Sequence, residues 1–355
     1  MQSGNRCVCG TVRLPAVAVL LCAMAGLVSA VRSADAQLAQ NNPGQSGSAQ
    51  YAPQTSVSIV DGQWHLNGQV TYPGAKAEGL LLNVRMVNAV FEDAQRQDFD
   101  AEANTQEFLA VLPDYVAHGV LAFTLGLQGG FPGYEGAINS AFAPDGSLRA
   151  GYLDRVARVI EACDRQGAVV ILGCFYQRQD QILQDEAAVR SATVHVAQWI
   201  RSRGYANVLL EIANEYPHPG FDHRVLHSAE GEASLIELAR RTSPGLLVST
   251  SGIGDGEFAD VVARVADFLL IHFNGLPVAD IPARVQTLQQ YGKPIVCNED
   301  DKSSQDSAAA AAASVAAGAS WGLMLEKTNQ HFPFSFRGVA DDPLIYATLK
   351  ELATR

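Results

Sequence analysis

The sequence predicts an α/β fold, a (β/α)8 or TIM barrel with an N-terminal β-hairpin, on three observations. From Leu80 to the C-terminus, short apolar runs alternate with stretches whose apolar residues recur at three- and four-residue spacing. That is the pattern of a parallel sheet with helices packed outside it. Eight such units fit in roughly 275 residues, against a usual barrel size of about 250. An open doubly wound sheet would carry a glycine-rich phosphate loop after its first strand, and Asn88-Ala-Val-Phe-Glu-Asp93 is not one.

In chain order, residues 1–36 read as a secretory signal. Arg6 and Arg13 form a basic start, Pro15 to Val28 an apolar core, and Ala34-Asp35-Ala36 a small-residue cleavage site. The apolar run falls short of the roughly 20 residues a membrane span needs. Leu21 before Cys22 argues against a lipidated cysteine. The mature protein is expected to be secreted or periplasmic, without membrane insertion after signal cleavage. Residues 37–55, rich in Gln, Asn, Pro, Gly and Ser, are expected to be a disordered linker. One catalytic domain then covers 56–355. Its hairpin is read from the alternation over Ser56 to Tyr72 and the Asn67-Gly68 turn, and is placed as a plug for the barrel bottom.

The eight strands are expected at Leu80 to Val90, Gly119 to Leu127, Ala168 to Tyr176, Val208 to Asn214, Leu246 to Ser251, Phe268 to Phe273, Pro294 to Asn298 and Ser320 to Leu325. Helices are expected between them, for example at Tyr152 to Arg165, Glu186 to Ser202 and Ile281 to Tyr291, with a last one at Pro343 to Ala353. The second of these ends in Arg201-Ser-Arg-Gly204, cations and a glycine at a helix C-terminus.

Loss of the signal takes the net charge from −12 to about −14, an acidic surface that argues against nucleic acid or a polyanionic glycan as partner. Three cysteines remain, Cys163, Cys174 and Cys297, too few and too far apart for a disulfide framework or a zinc site, and they are expected to be buried. His218, His223 and His227 beside Asp222 invite a metal reading, but loop histidines are usually solvated or contact ligand. No metal or cofactor is expected.

Chemistry is sought at the C-terminal ends of the strands, where barrels build their sites. The fourth and seventh strands each deliver a glutamate there, Glu215 and Glu299. Strands so placed lie across the mouth from each other. Two carboxyl groups facing one another over a sugar are what glycoside hydrolysis requires, one to protonate the leaving oxygen and one to attack the anomeric carbon or activate water. Asn214 could bond a sugar hydroxyl beside the scissile bond. Glu211 is expected to pair with a buried cation such as Arg85 on the first strand. Glu92, Asp93, Asp300, Asp301 and Glu326 are strand-end acids, any of which could tune the pair. Sugars bind on aromatic faces and planar polar side chains, and four clusters offer both: Gln128 to Glu135, Tyr176-Gln177-Arg178, Tyr216-Pro-His218 and Asn329 to Phe332.

Leu209-Leu-Glu211-Ile-Ala-Asn214-Glu215 resembles the acid/base signature of clan A retaining glycoside hydrolases, the cellulase-like family 5 group, and Pro294-Ile-Val-Cys-Asn298-Glu299 is similar to that clan's nucleophile strand. The resemblance implies that Glu215 is the general acid/base, Asn214 its hydroxyl-binding neighbour and Glu299 the nucleophile. It further implies that Trp321 is the platform under the reacting sugar and that His272 orients the carboxylates. The sequence departs from the group at Tyr216, where proline or valine is usual, and on the third strand, where histidine is common. The second strand offers no arginine, whose charge Arg85 could supply.

The expected function is hydrolysis of a neutral, β-linked oligo- or polysaccharide by retaining double displacement. The acid's pKa is expected to be raised. A carbohydrate-binding barrel without turnover is the alternative, motivated by the departures just named.

Overall fold

The computed structural model describes residues 51–96 and 98–355. The expected signal and most of the expected linker lie outside the described residues. The end of that linker does not behave as one: the Thr55 N–H and hydroxyl donate to the Asp164 carboxylate and carbonyl, and the Tyr51 ring packs edge-on against Tyr205. Among the described residues no helix is long and apolar enough to cross a membrane.

The N-terminal segment forms three antiparallel strands, β1 (Val57–Val60), β2 (Gln63–Leu66) and β3 (Gln69–Val70), rather than one hairpin. Two tight turns produce it. Asp61-Gly62 and Asn67-Gly68 all have positive φ, the backbone of the type I′ turns that suit strand twist.

Eight parallel strands follow: β4 (Asn83–Arg85), β5 (Ala122–Gly126), β6 (Val169–Phe175), β7 (Val208–Ala213), β8 (Leu247–Ser249), β9 (Leu269–His272), β10 (Ile295–Glu299) and β11 (Gly322–Leu323). Six are ladder-paired in the order β11-β4-β5-β6-β7-β8, and β9 pairs with β10. Parallel bridges Ser251–Leu270 and Val296–Ser320 join the two groups into a closed ring. Helices lie between successive strands, including Ala150–Arg165 and Glu186–Arg203, and Pro343–Ala353 follows the last strand, all close to where the apolar spacing puts them. The expected Ile281 to Tyr291 helix is α-helical over Ile281–Leu288 and finishes as a 3-10 turn at Gln289–Tyr291.

The first expected strand is shortened. Val87–Val90 is a 3-10 helix, although its two valines favour strands. The Asn104 amide donates to the Asn88 carbonyl, and the Thr105 hydroxyl to the Ala89 carbonyl, drawing the backbone out of the ladder. Tertiary hydrogen bonding overrides local preference there.

Two apolar layers hold the barrel. The larger lies between strands and helices and includes the buried, unpaired Cys163, Cys174 and Cys297. The smaller fills the bottom of the barrel, with Trp64 from β2 buried among Leu81, Ile171, Leu209, Phe268 and Val296. The N-terminal meander is therefore the plug anticipated from the sequence, and its indole meets Phe268 edge-on at 5.4 Å.

Candidate active site

Above the apolar layer the inward-facing residues turn polar. Glu299 reaches the mouth through a register shift in β10. Cys297 pairs with Ile271, but Glu299 pairs with His272, so Asn298 is the extra residue of a β-bulge. A strict alternation after inward-facing Val296 would send Glu299 outward. The bulge re-aims it, a recognised use of such irregularities beside active sites.

Glu215 reaches the mouth by a different device. Its φ is +52°, in the left-handed region that a residue with a Cβ rarely adopts, at a strain of about 1–3 kcal/mol. Ser251, at the end of the β8 strand, holds this turn: its hydroxyl accepts the Glu215 N–H at 2.9 Å and its carbonyl accepts the Tyr216 N–H at 3.0 Å.

The two carboxylates converge on one imidazole. His272 Nδ1 lies 3.1 Å from Glu215 Oε1 and 3.6 Å from Glu299 Oε2, and an oxygen of each glutamate and this nitrogen all lie within 4.8 Å of one another. Arg85, fully buried, places Nε 2.9 Å from Glu299 Oε2 and donates from Nη2 to Asn214 Oδ1 at 2.8 Å. The Asn274 amide donates to Glu299 Oε1 at 2.6 Å. Gln177 bridges the acid side, donating to Glu215 Oε2 at 3.3 Å and accepting from the Asn214 amide at 3.2 Å. Tyr176 stands beside this group, and burial pushes its hydroxyl up to about 12.

Burial alone would raise the Glu215 pKa, but the hydrogen bond and charge of His272, then the charges of Arg85 and His218, outweigh it, and the net shift is downward. This corrects the expectation of a raised acid. Burial opposes the charge on His272, yet Glu299 and Glu215 carry its pKa above the ordinary 6.5.

Three further expectations are corrected. Trp321 is fully buried in the outer layer and donates its indole N–H to Asp300 at 2.8 Å. Gly322 faces inward against Asn83, so strand alternation turns Trp321 outward, and it cannot serve as a platform. Tyr216 follows the left-handed turn away from the mouth into the outer core, where burial, with Glu232 nearby, pushes its hydroxyl up to about 12. Arg85 pairs with Glu299 rather than with Glu211, whose Oε1 has no partner and whose pKa burial raises.

The other strand-end acids have separate duties. Glu92 is paired with Arg149 and Arg155, Asp93 anchors the loop at Tyr134 and Ile138, and Asp300 holds Lys302 and Trp321. Burial raises the Asp301 pKa, and Glu326 lies 3.4 Å from His331. His223 is bonded to Asp180 and His218 accepts a backbone N–H from Gly220. Among the described residues, the group of three side chains placed to hold a metal is Glu215, His272 and Glu299. There the Arg85 guanidinium already supplies a cation to Glu299.

Ser251 and Asn274 complete the site without having been singled out from the sequence. Asn274 carried a weak signal, two residues beyond His272 on the same strand end. Ser251 carried only its place at the C-terminal end of the fifth expected strand.

No family model matches the chain, and neither does any curated protein. Solved structures do match in fold. A family 5 glycoside hydrolase from Bacteroides vulgatus ATCC 8482 is 16% identical, with 85% of this chain and 70% of that one covered and a TM-score of 0.55. A glycoside hydrolase 5 lichenase from Caldicellulosiruptor sp. F32, solved with cellotetraose, is 13% identical, with 83% and 98% covered and a TM-score of 0.56. An exo-β-1,4-mannosidase from Opitutaceae bacterium strain TAV5 is 14% identical, with 83% and 61% covered and a TM-score of 0.57. The chain thus spans about three fifths of the length of some of these structures, among them another from Bacteroides vulgatus at 60%. The likeness is one of fold, and the fold is the barrel of family 5 glycoside hydrolases.

Proposed function

We propose that this protein is a secreted glycoside hydrolase that cleaves a neutral, β-linked glycan with retention of anomeric configuration. One observation carries the reading: Glu215 and Glu299, delivered by the fourth and seventh barrel strands, bring carboxylate oxygens within 4.8 Å of each other. Retaining enzymes hold their carboxyl groups about 5–5.5 Å apart, whereas inversion leaves about 6.5–9.5 Å for a water.

Glu299 is the nucleophile. Its Oε1 is held by Asn274 and its Oε2 lies against Arg85, contacts that aim the carboxylate. It attacks the anomeric carbon while Glu215 gives a proton to the departing oxygen. Glu215, now a carboxylate, takes a proton from water, and the water oxygen displaces Glu299 from the sugar. His272 stands between the two glutamates, its Nδ1 3.1 Å from Glu215 Oε1 and 3.6 Å from Glu299 Oε2. Asn214, fixed between Arg85 and Gln177, faces a hydroxyl of the reacting sugar. Export by the expected N-terminal signal fits an enzyme whose substrate lies outside the cell.

The test is reducing-sugar release by residues 37–355 across neutral β- and α-linked glycans, alongside Glu299→Gln. Release that falls by orders of magnitude in the variant supports the hydrolase and identifies the glycan. Release that survives in the variant removes Glu299 from the nucleophile's role. Glycan binding without release by the wild type favours a binding barrel.

A further inference from the structure

Beside the paired carboxylates lies a cavity of about 460 Å3 that neither glutamate lines. Its floor is Tyr176, Gln177 and Gln179 at the end of β6, and its wall is the glycine-rich segment 129–138 after β5. Gln177 joins it to the reacting centre, because the side chain that lines the cavity also holds Glu215 Oε2.

The wall is pinned on its outer side. Asp93 accepts the Tyr134 hydroxyl at 2.8 Å and the Ile138 N–H at 3.0 Å. From the loop after β11, the Phe332 N–H donates to the Pro132 carbonyl at 2.8 Å, and His331 meets Phe131 edge-on at 5.8 Å. Floor and wall touch at the back: a Cβ on Gly129 would lie 2.0 Å from Tyr176 Cγ, so only glycine allows this approach. In front, Arg178 and Glu135 form an ion pair across the two at 3.0 Å. Across the mouth the connection after β9 is only residues 273–277, before the 3-10 turn Val278–Asp280.

We infer that this cavity is a blind subsite that receives one end of a neutral oligosaccharide, making the protein a chain-end (exo-acting) enzyme. The inference rests on the hydrolase reading above. A polymer threading through would have to part Phe332 from Pro132 and Tyr134 from Asp93. The volume falls in the range of roughly 300–1,000 Å3 that suits a small ligand, enough for a short chain end and not for a continuing chain. The lining joins aromatic rings, side-chain amides and His218 to a glycine-rich backbone, and the charges of Arg178 and Glu135 are matched to each other. That chemistry suits hydroxyl-rich neutral sugars.

The experiment follows first-turnover products from β-1,4-linked glucohexaose and mannohexaose carrying 18O at the reducing end. The inference expects a single product pair, with the label always on the same fragment. The fragment that keeps the label shows which end enters. A mixture of all pairs, two trisaccharides included, overturns it while leaving the hydrolase standing. Ala137→Trp, which fills the cavity, is expected to raise the hexaose KM about tenfold relative to that of an activated aryl monoglycoside, equivalent to about 1.4 kcal/mol. Equal effects on both substrates would place the cavity outside the substrate path. If neither hexaose nor any aryl glycoside is cleaved, the hydrolase reading fails and takes this inference with it.

Discussion

At the bottom of the barrel Trp64 lies among Leu81, Ile171, Leu209 and Phe268, while at the top the same ring of strands carries Arg85, Glu211, His272 and Glu299, all buried. The bottom is apolar burial in regular strand geometry. The top departs from regularity twice, in the bulge at Asn298 and the left-handed Glu215. One end contributes stability and the other holds polar groups away from water in fixed positions. The difference implies that substitutions at the two ends should separate folding from catalysis.

The largest effect expected is at the top. Glu299→Gln should cut kcat/KM by at least about 10⁴-fold, some 5.5 kcal/mol of transition-state stabilisation. The melting temperature should fall by much less than the activity, because the amide can still accept from Asn274 although it no longer balances the buried Arg85 guanidinium. A matching loss of melting temperature would mean that the carboxylate is part of the scaffold and would blur the contrast between the ends.

The reverse pattern is expected of Trp64→Ala. Removing a buried tryptophan costs about 3–5 kcal/mol, read by chemical denaturation, while kcat of the protein that remains folded should hold. If kcat fell as steeply as stability, the plug would be coupled to the mouth.

The same contrast decides what the sequence could disclose. Strands, helices and plug were legible because apolar burial leaves a periodic mark, and Glu215 and Glu299 were legible because each ends such a run. Their aim was not. The bulge at Asn298 and the positive φ at Glu215 follow from pairing with β9 and from Ser251, contacts made by residues distant in the chain. Trp321 and Tyr216 were misplaced for the same reason. An aromatic at a strand end points in or out by register, and register is set by neighbouring strands. Arg85, expected to pair with Glu211, likewise went to Glu299, because strand register decides which carboxylate it meets.

A smaller effect tests whether strain at the top is held by its neighbour. Ser251→Ala removes the acceptor of the Glu215 N–H and should cost about 1–3 kcal/mol of stability. It should also lower kcat more than it raises KM, because the acid loses its aim while the sugar contacts remain. An unchanged kcat with lowered stability would show that Arg85, His272 and Gln177 suffice to position Glu215.

The subtlest prediction concerns pH. Glu215 must carry a proton when the leaving group departs, so the alkaline limb of kcat/KM reports its ionisation. Burial pushes that pKa up and His272 pushes it further down, with Arg85 and His218 acting in the same sense as His272. In His272→Gln the burial effect gains ground, and the alkaline limb should move to higher pH. The pair also links stability to pH. Glu215, depressed in the folded state, contributes above its ordinary 4.5 and loses that contribution as pH falls through its lower folded value. His272, raised in the folded state, contributes below its ordinary 6.5 and loses it as pH rises through its higher folded value. The two windows overlap between about 4.5 and 6.5, where the hydrogen bond of His272 to Glu215 and its attraction to Glu299 are both fully present. A stability profile of wild type minus His272→Gln should therefore peak in that window, whereas the same subtraction for Trp64→Ala should be flat. An alkaline limb that stays in place while the stability peak disappears would mean that another group delivers the proton, and Glu215 would keep only a structural tie to His272.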